Sequence, residues 1–218
     1  MQSDNPNQSL NIILCLAGKG QRFVDQGYTI PKFLLRDISN AESILELIIK
    51  NFAASGVKNF FLILNLSHQK WEAEIKESIS KFTNLDFSFL FISDTSGQAE
   101  TAYHGVKHIK KKRLLDLKDP IGFHNGDTIL LNRNINLILK GLQDGADGAI
   151  DTFPASSQAY SYVKICREDT IIEIKEKQVI SNMASSGLYI FQNLEVFLTY
   201  YEKTAFLNKE KYISQIYQ

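Results

Sequence analysis

Apolar residues fall in short runs that alternate with helical periodicity through about the first 150 residues. The run Asn11-Ile12-Ile13-Leu14-Cys15-Leu16 is continuous enough to predict a strand covered on both faces. From 42 to 55, Ile44, Leu45, Ile48, Ile49 and Phe52 recur at helical spacing, and Gly56 supplies a stop. A second apolar strand is predicted over 59–64. Ser67 then reads as the N-cap of a helix whose buried face is Trp71, Ile75, Ile79 and Phe82. A third strand is expected over 87–92, and a helix over about 99–115 with Ala102, Tyr103, Val106 and Ile109 inward. Ile121-Gly122-Phe123 reads as a short strand, His124-Asn125-Gly126-Asp127 as a turn, and 134–142 as a helix. Strand and helix in alternation imply a parallel sheet with helices on both faces. Beyond Gly148 the pattern changes. Strand-like runs at 149–153, 160–166, 171–175 and 187–191 are separated only by turns, which predicts an antiparallel extension of the sheet in the C-terminal third. Helical patterns at 194–203 and 209–217 close the chain.

A chain of 218 residues suits one domain with a sizeable core. The polar stretch 1–10 is expected to be a disordered tail ahead of a single domain over 11–218, with no leader and no transmembrane segment. Its 24 basic and 24 acidic residues balance, so no global field draws it to nucleic acid or to an anionic membrane. Lys110-Lys111-Lys112-Arg113 sits where a helix ends and complements the dipole there, so it reads as a solvated helix end. Cys15 and Cys166 both lie in apolar runs and are expected to be buried, reduced thiols, which suits the cytoplasm.

The loop after the first strand carries the candidate chemistry. Gly18 and Gly20 let the backbone approach a ligand and adopt positive φ, so that amides can face anionic oxygens. Lys19, Arg22 and Lys32 add cations around it. A tight strand-to-helix turn is the alternative, but such a turn needs neither these charges nor the long stretch 24–30. The loop is not a Walker A motif. No Ser or Thr follows Lys19, the required earlier glycine is missing, and no helix signal begins at Gln21. In an open parallel sheet, ligands gather at the C-terminal strand ends. The Gly18 loop, Asp94-Thr95-Ser96-Gly97 and Asn125-Gly126-Asp127 all lie at such ends and are expected to line one cleft. A carboxylate beside phosphates calls for a divalent cation between them, which makes Asp127 a Mg²⁺ candidate. The alternative for Asp127 is a turn residue capping the next helix. His124 is read as a strand-end histidine satisfied by backbone, or as an outer partner of the metal. His68, His104 and His108 receive no role.

Six segments in this order carry a family resemblance: AGKGQRF, GYTIPKFLL, SGQAETA, HNGDT, IIEIKEK and SSGLYIF. Together they resemble the sugar-phosphate nucleotidyltransferases over roughly 11–217. Members of that family join an NTP to a sugar 1-phosphate and release pyrophosphate. The resemblance implies an α/β fold of glycosyltransferase-A type. This is a Rossmann-like, three-layer αβα sandwich with a mixed, mostly parallel sheet, its nucleotide-binding half over 11–147 and its sugar or acceptor half over 148–218. It further implies that Leu16, Ala17, Gly18, Lys19 and Gly20 cradle the nucleotide, that Arg22 neutralises the departing phosphates, and that Lys32 meets the α-phosphate. Glu100 falls at a base-contacting position, Gly126 lies against the nucleoside, and Asp127 holds Mg²⁺. On the acceptor side, Glu176 takes sugar hydroxyls, Lys177 the sugar phosphate, and Asn182 and Gly187 flank the sugar. Without the resemblance, Glu176-Lys177 reads as an exposed hairpin end.

Two departures matter. Lys19 and Gln21 replace a glycine and a threonine of the family's loop, which leaves the donor base open. The segment 209–214 resembles one that the family follows with a second metal-binding carboxylate, and the sequence ends at Gln218. The expectation is a shortened form of a longer protein, or a replacement carboxylate with Glu176 and Glu210 nearest. The partners expected are an NTP and a sugar phosphate or small phosphate acceptor, without nucleic acid or membrane, and with homo-oligomerisation left open. The leading reading is an enzyme making NDP-sugars for capsule or other surface polysaccharide. The alternatives are a cytidylyltransferase for a small non-sugar phosphate, such as phosphocholine, and a non-catalytic nucleotide-binding module.

Overall fold

A computed structural model describes residues 10–36, 41–166, 170–206 and 209–218. The tail expected over 1–10 lies, but for Leu10, outside the described residues. The strands are β1 (Asn11–Leu16), β2 (Asn59–Asn65), β3 (Asp86–Ile92), β4 (Ile121–Asn125), β5 (Gly148–Pro154), β6 (Tyr162–Ile165), β7 (Ile171–Lys175) and β8 (Met183–Phe191). The helices are α1 (Gln21–Asp25), α2 (Ile44–Ala54), α3 (Glu72–Ile79), α4 (Gln98–Lys112), α5 (Ile135–Gln143) and α6 (Leu194–Lys203). The strands form one sheet in the order β3-β2-β1-β4-β8-β6-β7, with β5 pairing β8. β1, β2, β3 and β4 run parallel; β4, β5 and β6 meet β8 antiparallel, and β6 meets β7 antiparallel. This is the layered α/β architecture with a C-terminal antiparallel extension.

Period-two alternation within the buried strands builds a core on each face. Ile12, Leu14, Leu16, Phe60, Leu62 and Leu64 point to the side covered by α2, α3 and α5. Ile13, Phe61, Ile63 and Phe123 point to the side covered by α4 and α6. α2 begins at a reciprocal cap: the Glu46 N–H donates to Ser43 Oγ at 3.2 Å and the Ser43 N–H to Glu46 Oε2 at 2.7 Å.

The structure corrects several sequence expectations. A helix does begin at Gln21: Gly20 at φ 62° turns the chain, and its carbonyl accepts from the Phe23 and Val24 N–H groups to close the short α1. The cap after β2 is Asn65, whose side chain accepts from the Ser67 N–H at 2.9 Å, and a 3₁₀ stretch, Leu66–Trp71, precedes α3. β4 runs on through His124 and Asn125, because Cys15 of β1 still pairs Asn125 there. β8 starts four residues before Gly187, at Met183, held by β5 and β6, which both pair Ala184. The helix expected over 209–217 is reduced to a 3₁₀ turn, Ile213–Tyr217. Preceding it, the Lys211 N–H donates to the Ser96 carbonyl at 2.7 Å and the Lys211 carbonyl accepts from the Ala99 N–H at 3.0 Å, which holds this stretch against α4. Cys166 is exposed at the end of β6, while Cys15 is half-buried at the cleft and desolvation pushes its thiol pKa up. Among the described residues, no helix is long and apolar enough to cross a membrane.

Candidate functional site

The C-terminal ends of β1, β3 and β4 open into a cleft of 1220 Å³, closed on its far side by the end of β5, the residues after β7 and the middle of β8. The three loops singled out in the sequence share its wall: Leu16 to Lys19, Asp94 to Gly97, and Asn125 to Asp127. Arg22 and Lys32 line it beside them. A Cβ at Gly18 or Gly20 would meet no protein atom within 4 Å, so the space over this loop is open. Gly20 takes positive φ; Gly18 does not.

Two ion pairs cross the rim. Lys32 Nζ donates to Asp127 Oδ2 at 2.6 Å, and Lys19 Nζ sits 2.5 Å from Asp94 Oδ2. Lys19, then Asn65, hold the Asp94 carboxyl below its ordinary pKa. The cations expected to meet phosphate are therefore poised against carboxylates that a polyanion must displace or that a metal must bridge.

On the opposite wall stand Glu176, Lys177, Ser186 and Gly187. Glu176 Oε2 accepts from the Ser161 hydroxyl and, at 2.7 Å, from the Ser214 hydroxyl. Lys177 Nζ donates to Tyr212 Oη at 2.6 Å, and this hydrogen bond raises its pKa. Gly187, at φ 89°, packs on Asn125, whose amide would overlap any Cβ at that position.

Glu100, Asn182 and Gly20 are not on the wall. Glu100 sits in the first turn of α4 with Oε2 taking the Ser96 N–H at 2.5 Å and Oε1 taking Lys211 Nζ at 3.0 Å. Its pKa is lowered first by that backbone donor. Asn182 is exposed just before β8. Residues to which sequence reasoning gave no role also line the cleft: Gln98, with a buried Nε2 lacking a partner, Ser186, with a buried Oγ lacking one, and Tyr212, which holds Lys177. Gln98 lies in the SGQAETA segment and Ser186 in SSGLYIF, so two of these signals were in singled-out segments; nothing local marks Tyr212 as cleft-lining.

His124 is fully buried, edge-on to Phe52 with centroids 5.2 Å apart. It is not satisfied by backbone as expected, since neither ring nitrogen makes a well-aligned hydrogen bond. Burial lowers its pKa to about 4 against the opposing charge of Asp127 and the Asn125 backbone.

Mg²⁺ usually takes one or two carboxylates and completes its shell with water and substrate phosphates. Among the described residues no group of three or more His, Cys, Asp or Glu converges, so an all-protein cage is absent there. Asp127, which lines the cleft with Asp94, Glu176 and Glu210 and whose oxygen already faces a cation, fits the phosphate-assisted mode.

No curated protein matches the chain in sequence. Among solved structures, the fold is shared with a nucleoside-diphosphate-sugar pyrophosphorylase from Vibrio cholerae RC9, 25% identical, over 94% of this chain and 85% of that one, at a TM-score of 0.80. A UDP-glucose pyrophosphorylase solved with UDP-glucose is 16% identical over 97% of this chain and 86% of its own, at 0.73. HddC from Yersinia pseudotuberculosis is 20% identical over 94% and 83%, at 0.68. At their identities, these last two show the fold alone. The glycine loop, the cations and the cleft share one rim, and the sequence profile described as nucleotidyl transferase matches residues 10–216, nearly the whole chain: the chain belongs to the nucleotidyl transferase family.

Proposed function

We propose that this nucleotidyltransferase joins an NTP to a sugar 1-phosphate, or a similar phosphate acceptor, releasing pyrophosphate and supplying NDP-sugars for surface polysaccharide synthesis in the cytoplasm. The observation that carries the reading is a single cleft with cations at both ends. Arg22 and Lys32 stand beside the open glycine loop, and Lys177 stands with Glu176 across from them. The nucleotide belongs in the half built from 11–147 and the acceptor in the half built from 148–218. The structural relative named as a nucleoside-diphosphate-sugar pyrophosphorylase supports the same assignment.

An oxygen of the acceptor phosphate attacks the α-phosphorus in line. A P–O bond forms there as the bond to the β-phosphate oxygen breaks, and pyrophosphate carries away the electron pair. No protein nucleophile is needed; the work is positioning and relief of charge repulsion. Lys32 serves the α-phosphate, Arg22 the leaving phosphates, Lys177 the acceptor phosphate and Glu176 its hydroxyls. Asp127 would hold Mg²⁺ together with the phosphates, and the cation would supply further charge neutralisation there. Lys32 leaves Asp127 for phosphate as the substrates enter, an exchange between two partly exposed groups, with 25% and 44% of their side chains accessible.

The test is a pyrophosphate-release screen of four NTPs against sugar 1-phosphates, phosphocholine and other small phosphates. Turnover with a sugar 1-phosphate is the expected result. Turnover with CTP and phosphocholine alone would overturn the sugar assignment, and NTP binding without any turnover would leave only a nucleotide-binding module.

A further inference from the structure

The segment Lys211 to Ser214 touches both ends of the cleft. On the nucleotide side, its Lys211 backbone pairs with Ser96 and Ala99, and Lys211 Nζ grips the Glu100 carboxylate that in turn holds the Ser96 N–H. The approach is close enough to require glycine. Gly97 lies at φ 137°, and a Cβ there would sit 2.5 Å from the Lys211 carbonyl oxygen and 2.8 Å from its nitrogen. On the acceptor side, Tyr212 accepts a hydrogen bond from Lys177, carries that ammonium 4.6 Å from its ring centroid, and donates its own proton to Glu210. Two residues on, Ser214 donates to Glu176 Oε2.

We propose that this segment is a two-sided positioning strap: Tyr212 and Ser214 hold Lys177 and Glu176 ready for the acceptor, while Lys211 holds residues 96–100, the turn into α4, ready for the nucleotide. The inference rests on the acceptor reading of Lys177 and Glu176 given above. A lysine is a point charge on a flexible stem, and each rotor it must freeze on meeting phosphate weakens binding. Lys177 meets that cost in advance. Its backbone is already in the left-handed region at φ 56°, and its ammonium is fixed by a hydroxyl and a ring face that leave other N–H donors for phosphate. Glu176 is held the same way. Both serine hydroxyls, from Ser161 and Ser214, engage Oε2, so Oε1 keeps its acceptor capacity for a substrate hydroxyl. One short stretch of chain thus sets the geometry of both subsites without touching the reacting atoms.

The experiment compares wild type with Tyr212→Phe, Ser214→Ala and Lys211→Met, each checked for folding by thermal melting. Phe keeps the ring face and removes only the hydroxyl. On whichever NTP and acceptor pair the wild type turns over, Tyr212→Phe is expected to raise acceptor KM about tenfold, with NTP KM within about twofold, because one hydrogen bond to a charged group is lost. Ser214→Ala should move the same constant by less, and Lys211→Met should move NTP KM and spare the acceptor. A second readout is independent of turnover. Acylation of Lys177 by a lysine-selective reagent, followed by mass spectrometry, should quicken severalfold in Tyr212→Phe. An acceptor KM within twofold of wild type in Tyr212→Phe would overturn the inference, and so would equal rises in both KM values, the mark of a general structural role. If the wild type turns over no pair, it is the proposed function that has failed. Lys177 reactivity then decides the strap alone, and an unchanged acylation rate overturns it.

Discussion

At the scale of single residues, charge placement sets the expectations. Asp127 is the cleft carboxylate that faces Lys32 across 2.6 Å. Asp127→Asn keeps its shape and removes the charge. Turnover should fall by at least about a hundredfold, because oriented charge at transferring phosphates is worth that much. The melting temperature should hardly move, since a partly exposed ion pair contributes little to stability. Near-normal turnover in Mg²⁺ would take Asp127 out of the mechanism. Lys32→Ala and Lys177→Ala should separate in steady-state kinetics: the first lowers kcat for every substrate pair, the second chiefly raises acceptor KM, and the reverse pattern would exchange their assignments. Glu100 illustrates what residue-level reading misses. The family resemblance implied a base contact for it after the Gly97 turn, yet its two oxygens are engaged by the Ser96 N–H and Lys211. Glu100→Gln should therefore leave the ranking of the four NTPs unchanged, and an altered ranking would return Glu100 to the base.

At the scale of elements, strands were the more legible. β1 and β2 match their predicted runs to within a residue because each is apolar on both faces, and that signal is local. Helix ends were read less well. The start of α2 depends on the Ser43 and Glu46 reciprocal cap, and the turn before α3 on Asn65, where a side chain competes with the periodic pattern. Glu46 also carries a pH dependence. Burial alone would raise its pKa, but Lys81 and the Ser43 donors more than offset this and hold it at about 2, against 4.5 in the free residue. A carboxylate depressed on folding contributes stability that is complete above about pH 4.5 and disappears as pH falls toward 2. Urea melts at pH 6 and pH 3 should show a smaller acid loss in Glu46→Gln than in wild type; an identical loss would mean that Glu46 is not the group responsible.

At the scale of the whole molecule, two cores clasp one sheet, and the buried imidazole of His124 is built into the strand that leads to the cleft. Its folded pKa of about 4 lies below the ordinary 6.5, so the unfolded chain binds the proton first. Stability should be complete above pH 6.5 and decline as pH falls toward 4, the Asp127 charge moderating the effect. His124→Met should flatten the stability profile in that window, and a profile that keeps its slope there would place the titrating group elsewhere.

Apart from the short α1 and the lost last helix, the order of strands and helices, the open glycine loop after β1 and the cations around it were determined by the sequence alone, because each is a matter of neighbours within a turn or a strand. The tertiary structure decided which charges meet. Lys32 finds Asp127 from 95 positions away, and Lys211 finds Glu100 from 111. It also drew 209–212 out of a helical pattern, because the Lys211 backbone is held by partners at the start of α4. Periodicity reports which face of an element is buried, but contacts between distant segments exist only once the sheet has brought its strand ends to one rim.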